Sequence, residues 1–323
     1  MARTFLIDTD TASDDAVALI MALRAPQVEV AAITVVSGNV PVDQGVRNAL
    51  YTVELCNAEV PVYRGAERPL VREAVFAHFF HGQDGLGDLG YPAPRASAAL
   101  GPAAQAMVET IRANPGLTLV TLGPLTNVAM ALALDPEIAG LVERCVVMGG
   151  AACTVGNVTP AAEYNIFVDP DAARTVFKSG LPVEMVGWEL CRGEANLTDE
   201  EMAHVRSLGT PLGDFAIDCN RTAIAANRHM CQADPGLALP DPVAMAVALD
   251  PAICTRKSTH YVDVEVDSDL TRGMTVVDQL GVAGESRNRD VWGALRQGPP
   301  NVTVCWEIDI PGWKEALYRA LRD

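Results

Sequence analysis

Two periods of apolar spacing alternate along the chain, and they predict the elements in turn. Residues 5–8 open with the unbroken run Phe5-Leu6-Ile7, a strand buried on both faces. Residues 14–24 carry apolar positions at helical spacing and stop near Pro26. Residues 28–36 predict a β-branched strand ending at Ser37-Gly38-Asn39, followed by a helix over 42–56 and a strand over 60–63. Residues 73–98 are rich in Gly, His and Pro and hold little periodicity, so a long functional loop is expected there. The alternation resumes with a helix at 103–113, a strand at 117–122, a helix at 125–134 and a strand at 144–148, closed by Gly149-Gly150. A second loop over 151–167 precedes a helix at 170–179 and a strand at 182–186. Beyond it, residues 198–230 read as mostly helical and 241–249 as a short apolar helix. Strands at 260–266 and 302–308 and a final helix at 313–321 complete the pattern.

Alternating strands and helices predict an α/β fold: a mainly parallel sheet with helices on both faces. No compositional break, repeat or low-complexity tract interrupts it. Residues 1–323 are therefore expected to form a single domain, with a helical lid or insertion near residues 195–235. In such sheets ligands bind outside the carboxyl ends of the strands. The predicted strand ends carry Asp8 and Asp10, Asn39, Leu122 and Met148, and Asp241 opens the helix "DPVAMAVAL".

Composition narrows the classes. The chain has 323 residues, of which 49% are hydrophobic and 20% charged, as in a soluble globular protein. No apolar run is long enough to span a bilayer, and the N-terminus lacks the layout of a secretory signal. A cytoplasmic protein without a membrane partner is expected. A net charge of −17, with Lys178, Lys257 and Lys314 as the only lysines, argues against nucleic acid as partner. The eight cysteines include no C-x-x-C pair and several lie in apolar runs, so buried free thiols are expected.

The stretch "DTDTASDDA" concentrates Asp8, Asp10, Asp14 and Asp15 at one strand end. Helix capping accounts for one or two of them. Four neighbouring carboxylates repel one another, and a divalent cation resolves that conflict. Carboxylate and carbonyl oxygens suit a hard ion, Ca²⁺ or Mg²⁺, and the spacing is not that of an EF-hand. In "GNVTPAAEYNIFVDP", Asn157, Glu163 and Asn165 offer either turn and capping chemistry or hydrogen bonds to a polyhydroxylated ligand. Neither glycine-rich phosphate motif is present.

Taken in order, "DTDTASDDAVAL", "TVVSGN", "HGQDGLG", "TLGPLTNVAMAL", "MGG", "GNVTPAAEYNIFVDPDAA" and "DPVAMAVAL" make the sequence resemble the inosine–uridine-type nucleoside hydrolase family over nearly its whole length. The resemblance implies an open, Rossmann-like sheet and hydrolysis of the N-glycosidic bond of ribonucleosides to ribose and free base. It implies one Ca²⁺ held by Asp10, Asp15, Asp241 and the Leu122 carbonyl, with Asp10 as general base toward a Ca²⁺-activated water. It places Asp14 and Asn165 at the 2′- and 3′-hydroxyls, Asn39 facing the sugar, and Asn157 and Glu163 near the 5′-hydroxyl, with Met148 under the ring. It also implies a homodimer or homotetramer.

Two positions depart from the family pattern. Ala12 stands where the signature D-x-D-x-G-x-D-D has Gly, which is harmless only if its φ is negative. Pro240 stands where many members have a His that protonates the leaving base. His81, Trp188, Asn220 and His229 are the candidates for that side of the site, beside Cys191. Two alternatives stay open. One is a haloacid-dehalogenase-like phosphatase with Asp8 as nucleophile, although Lys178 is followed by no acidic metal motif. The other is a non-catalytic, Ca²⁺-dependent nucleoside or ribose binder.

Overall fold

The computed structural model describes residues 2–230, 235–288, 291 and 298–322, without the side chains of residues 229 and 230. The described strands form one nine-stranded sheet in the order β3-β2-β1-β4-β5-β6-β9-β7-β8. They are β1 (Arg3–Thr9), β2 (Val28–Val35), β3 (Val62–Arg64), β4 (Thr118–Thr121), β5 (Arg144–Met148), β6 (Val183–Val186), β7 (Cys254–Val264), β8 (Thr275–Asp278) and β9 (Val302–Ile308). Strands β3 through β9 in that order pair in parallel, whereas β7 and β8 extend the sheet antiparallel.

The chain winds outward from β1 in both directions, so the strand order reverses between β1 and β4. That is a topological switch point, where loops diverge and leave a crevice. Register fixes its edges: Asp8 lies opposite Thr34 on one side and Thr121 on the other. Phe5, Leu6 and Ile7 are fully buried, as an uninterrupted apolar strand in a two-faced sheet requires.

Two helices matter most for the crevice. Helix α1 (Ser13–Leu23) and the helix Pro240–Leu249, here αM, pack on each other. Both are buried on nearly every side because their residues are small or apolar all round. Pro240 starts αM at a position where a missing N–H costs nothing. Between β6 and αM the segment expected as a lid or insertion contains three helices, Asp199–Ser207, Pro211–Asp218 and Arg221–Met230.

The structure also corrects the sequence reading. Strand β7 begins at Cys254, six residues earlier than its pattern shows, because residues 255–259 are exposed and carry no apolar alternation. The short helix His78–His81 falls inside the first expected loop, the helix Tyr164–Val168 begins within the second, and the four-residue β8 lies where no element was expected. None is long enough to show a period. Among the described residues no helix is long and apolar enough to cross a membrane. The described cysteines are free, but Cys153 is exposed rather than buried, and Cys231 lies outside the described residues.

Candidate active site

Among the described residues, Asp14, Asp15 and Asp241 converge, with one oxygen from each within 4.8 Å of the others. Asp14 and Asp15 form the first turn of α1 and Asp241 the first turn of αM. The positive ends of two helix dipoles thus meet where three carboxylates are buried, which partly offsets their repulsion. Asp15 is held firmly: its carboxylate accepts from the Thr9 hydroxyl at 2.6 Å and the Ala12 N–H at 2.9 Å. Ala12 has φ −109°, so replacing the family's Gly introduces no strain there.

Asp10 lies beside this trio, fully buried and within hydrogen-bond reach of Asp15. Its Oδ2 accepts from the Asn39 N–H at 2.6 Å, while Oδ1 has no partner. Asp14 Oδ1 is also buried and unpartnered. Burial, then mutual repulsion, pushes the Asp10, Asp15 and Asp241 carboxyls above their ordinary range; burial raises Asp14 to about 6. Unpartnered buried carboxylate oxygens with raised pKa values are the donor set that a hard cation neutralises, so the residues fit a metal ion.

Glycines on both flanks make room for Asp10. A Cβ on Gly38 would stand 2.1 Å from Asp10 Oδ2 and 2.8 Å from Pro124 Cδ; one on Gly123 would stand 2.6 Å from Asp10 Oδ1. Gly38→Ala is expected to displace the Asp10 carboxylate, lowering turnover at least about tenfold and stability by about 1–3 kcal/mol. Steady-state kinetics and urea unfolding would check this; an Ala variant with normal kinetics would show that Asp10 tolerates displacement.

A cavity of about 140 Å³ opens above the cluster, with Asp14 and Asp241 in its lining. Of the residues expected around the sugar, Asn39, Leu122, Met148, Asn157, Glu163 and Asn165 all line it. The Asn165 amide donates to the Leu122 carbonyl at 2.7 Å and the Met148 carbonyl at 3.2 Å, tying the ends of β4 and β5 together. Glu163 serves as the cap of the helix Tyr164–Val168, accepting from the N–H groups of Asn165, Ile166 and Gly150. Burial raises its pKa to about 7 against those hydrogen bonds. Capping and ligand contact are therefore both open to Glu163. Asn157 is exposed at the rim and accepts from the Tyr164 N–H at 2.9 Å.

His81 and Trp188 also line the cavity, together with Phe79, Phe80, Asn227 and Pro240. His81 Nδ1 lies 2.8 Å from the Ser13 hydroxyl and 3.8 Å from Asp14 Oδ1. Burial depresses its pKa to about 4, outweighing the nearby carboxylates, so the imidazole is neutral at pH 7 and the contact with Asp14 is not an ion pair. Asn220 is not brought to the cavity: buried at the junction after Asp218, its amide turns back to the Ala216 carbonyl at 2.9 Å. The His229 side chain lies outside the described residues. From the same helix it is Asn227 that reaches the cavity, and no sequence signal marked it. Phe79 and Phe80 adjoin His81 in "HFFH", a run too short to carry a periodic signal.

Asp8 also departs from the expected crowd. Its Oδ1 accepts from Thr34 Oγ1 at 2.6 Å and Asn127 Nδ2 at 2.8 Å, joining β1 to β2 and to the helix Thr126–Leu134. Burial raises it to about 7. It braces the sheet, and only three of the four N-terminal aspartates surround the acidic centre. A larger cleft of about 820 Å³ beside β7 and β8 offers less chemistry. Its histidine, His260, is engaged by Ser258 and by the Asp278 carbonyl.

An open α/β sheet with a buried acidic cluster at its switch point, beside a cavity lined by amides and aromatic rings, has the makings of an enzyme site that could hold a metal ion. The chain belongs to the family described as inosine-uridine preferring nucleoside hydrolase, matched over residues 5–315. It is 38% identical over 323 residues to the pyrimidine-specific ribonucleoside hydrolase RihA of Shewanella sp. (strain ANA-3), covering 99% of this chain and 96% of that one. The solved purine-preferring ribonucleoside hydrolase from Gardnerella vaginalis superposes with a TM-score of 0.88 at 31% identity, covering 99% of this chain and 98% of that one. A plant nucleoside hydrolase, PpNRh1, superposes with a TM-score of 0.90 at 29% identity, covering 99% of each chain. The chain is thus a hydrolase acting on N-glycosyl compounds. Membership in this family removes the phosphatase alternative, whose nucleophile would have been the sheet-bracing Asp8.

Proposed function

We propose that this chain hydrolyses ribonucleosides to ribose and free base at the buried aspartate cluster, using Ca²⁺. The observation that carries the reading is the convergence of Asp14, Asp15 and Asp241 beneath an amide-lined cavity. Asp10, Asp15, Asp241 and the Leu122 carbonyl would hold the ion. That carbonyl has a second lone pair beside the one Asn165 uses. A bound divalent cation neutralises the carboxylates, grips a vicinal diol and acidifies water.

The chain's own residues do the rest. Asp10 Oδ1 takes a proton from the attacking water, while the Asn39 N–H fixes the other oxygen. Asp14 and Asn165 orient the 2′- and 3′-hydroxyls, and Asn39 faces the sugar. Asn157 and Glu163 meet the 5′-hydroxyl, and Met148 lies under the ring. Cleavage of the C1′–N bond develops oxocarbenium character, which the surrounding carboxylates stabilise. Pro240 has no proton to give the leaving base. With Nδ1 engaged by Ser13, His81 has its other nitrogen to offer, and Trp188, Phe80 and Asn227 enclose the base. A cytoplasmic homodimer or homotetramer, which the family resemblance implies, completes the reading.

Release of reducing sugar from inosine, adenosine, guanosine, uridine and cytidine, with calcium and after chelation, tests it. Calcium-dependent turnover supports the reading and names the base class. Silence toward all five by a folded, calcium-loaded protein would overturn it in favour of nucleoside binding without turnover.

A further inference from the structure

Beside Trp188 and Pro240, the wall facing the leaving base draws on two distant chain segments. One is the helix His78–His81, which brings Phe79, Phe80 and His81 to the cavity; the other is the helix Arg221–Met230, which brings Asn227. A four-residue helix has almost no stability of its own, so the first segment depends on ties to its surroundings. The turn that follows closes on itself. The Gly87 N–H donates to the His81 carbonyl at 2.9 Å, and Asp84 Oδ1 accepts from Leu86 N–H at 2.8 Å and Asp88 N–H at 2.9 Å.

Arg221 then joins the two segments. Its Nε donates to the Gly87 carbonyl and its Nη2 to the Asp88 carbonyl, the latter at 2.9 Å. The planar fork of a guanidinium suits two successive carbonyls; a lysine ammonium does not reproduce it. Gly87 permits the approach. Its φ is +77°, and a Cβ there would stand 2.8 Å from the Cys219 carbonyl and 3.1 Å from that of Asp218. The loop bearing His81 therefore rests directly on the junction that starts the second helix. Asn227 lies six positions after Arg221, about 9 Å along that helix.

We infer that Arg221 is a positioning residue that straps the His81 loop to the helix bearing Asn227 and so fixes the base-side wall. The inference rests on the hydrolytic reading of this site. The carboxylates of the ribose side follow β1 or open α1 and αM, its amides and Glu163 come from the end of β2 and from residues 157–165, and Arg221 makes no hydrogen bond to any of them. Losing the strap should therefore damage only chemistry that depends on the base.

The test compares wild type, Arg221→Met and Arg221→Lys on the best ribonucleoside and on para-nitrophenyl riboside, whose leaving group departs without protonation. Arg221→Met is expected to lower kcat/KM for the ribonucleoside by about tenfold to hundredfold, the cost of a wall displaced by about 1 Å. Turnover of the nitrophenyl riboside and calcium affinity by titration calorimetry should stay at wild-type values. Arg221→Lys should recover part of the loss. Equal losses on both substrates would mark Arg221 as merely structural and overturn the strap, as would a variant unchanged on both. Wild type silent on both substrates would overturn the hydrolytic reading and the strap with it. Gly87→Ala provides a second route to the same displacement and should show the same substrate selectivity.

Discussion

Asp10→Asn is expected to reduce kcat by about 10²- to 10⁴-fold, the usual contribution of a positioned base, while leaving the fold intact. The change is isosteric. An amide oxygen can keep the 2.6 Å hydrogen bond from Asn39, and the glycines at 38 and 123 leave no space for repacking. What disappears is the capacity to take a proton at the buried, unpartnered Oδ1, together with one negative charge toward the ion. A second effect separates this from simple damage. Without metal, Asp10 is a fully buried carboxyl raised by burial and by Asp15. An amide is neutral there without taking up a proton, so the chelated variant should melt no lower than chelated wild type at neutral pH. Kinetics on the best nucleoside and thermal melts in chelator would check both. A variant that retains wild-type kcat would remove Asp10 from the proton-transfer step.

Chelation is expected to abolish turnover, and calcium affinity should rise steeply from about pH 5 to about pH 8, because protons compete for the same oxygens. The sign follows from the raised carboxyls. Asp14 sits at about 6, and Asp10, Asp15 and Asp241 are raised as well, while an unfolded aspartate titrates near 4. Over that interval the metal-free native state binds more protons than the unfolded chain. The stability these four carboxyls contribute is fullest below about pH 4 and is lost as pH rises through their folded values. His81 acts the other way: its folded pKa of about 4 removes stability as pH falls through that value. It is one group against a carboxylate cluster, so the net slope stays negative. Melts at several pH values, in chelator and in calcium, should diverge with rising pH, chelated samples falling and calcium-loaded ones holding. Parallel curves would mean that the cluster is not where the ion binds.

How legible the site was depended on where its residues sit. Asp14 and Asp15 lie one after the other at a strand–helix boundary, so their role as part of an acidic centre could be read from "DTDTASDDA" alone. Asp241 was legible because it opens an apolar helix, yet only the packing of αM on α1 brings it within 4.8 Å of the first two. Asp8 read the same as its neighbours, and its hydrogen bonds to Thr34 and Asn127 reassign it to the sheet. Asn220 was polar and suitably placed in sequence, but a local bond to Ala216 is available to it and turns it away from the cavity.

The sequence by itself determined the alternation of strand and helix, the parallel sheet, the acidic strand end and the amide-rich loop, because each is written in residues close together along the chain. Only the tertiary structure decided which carboxylates converge, that two helix N-termini share one buried cluster, and that Arg221 ties the wall bearing His81 to the one bearing Asn227. The reason is physical: burial, and the pKa shifts it causes, depend on what packs around a group. Those neighbours come from segments that only the folded sheet brings together.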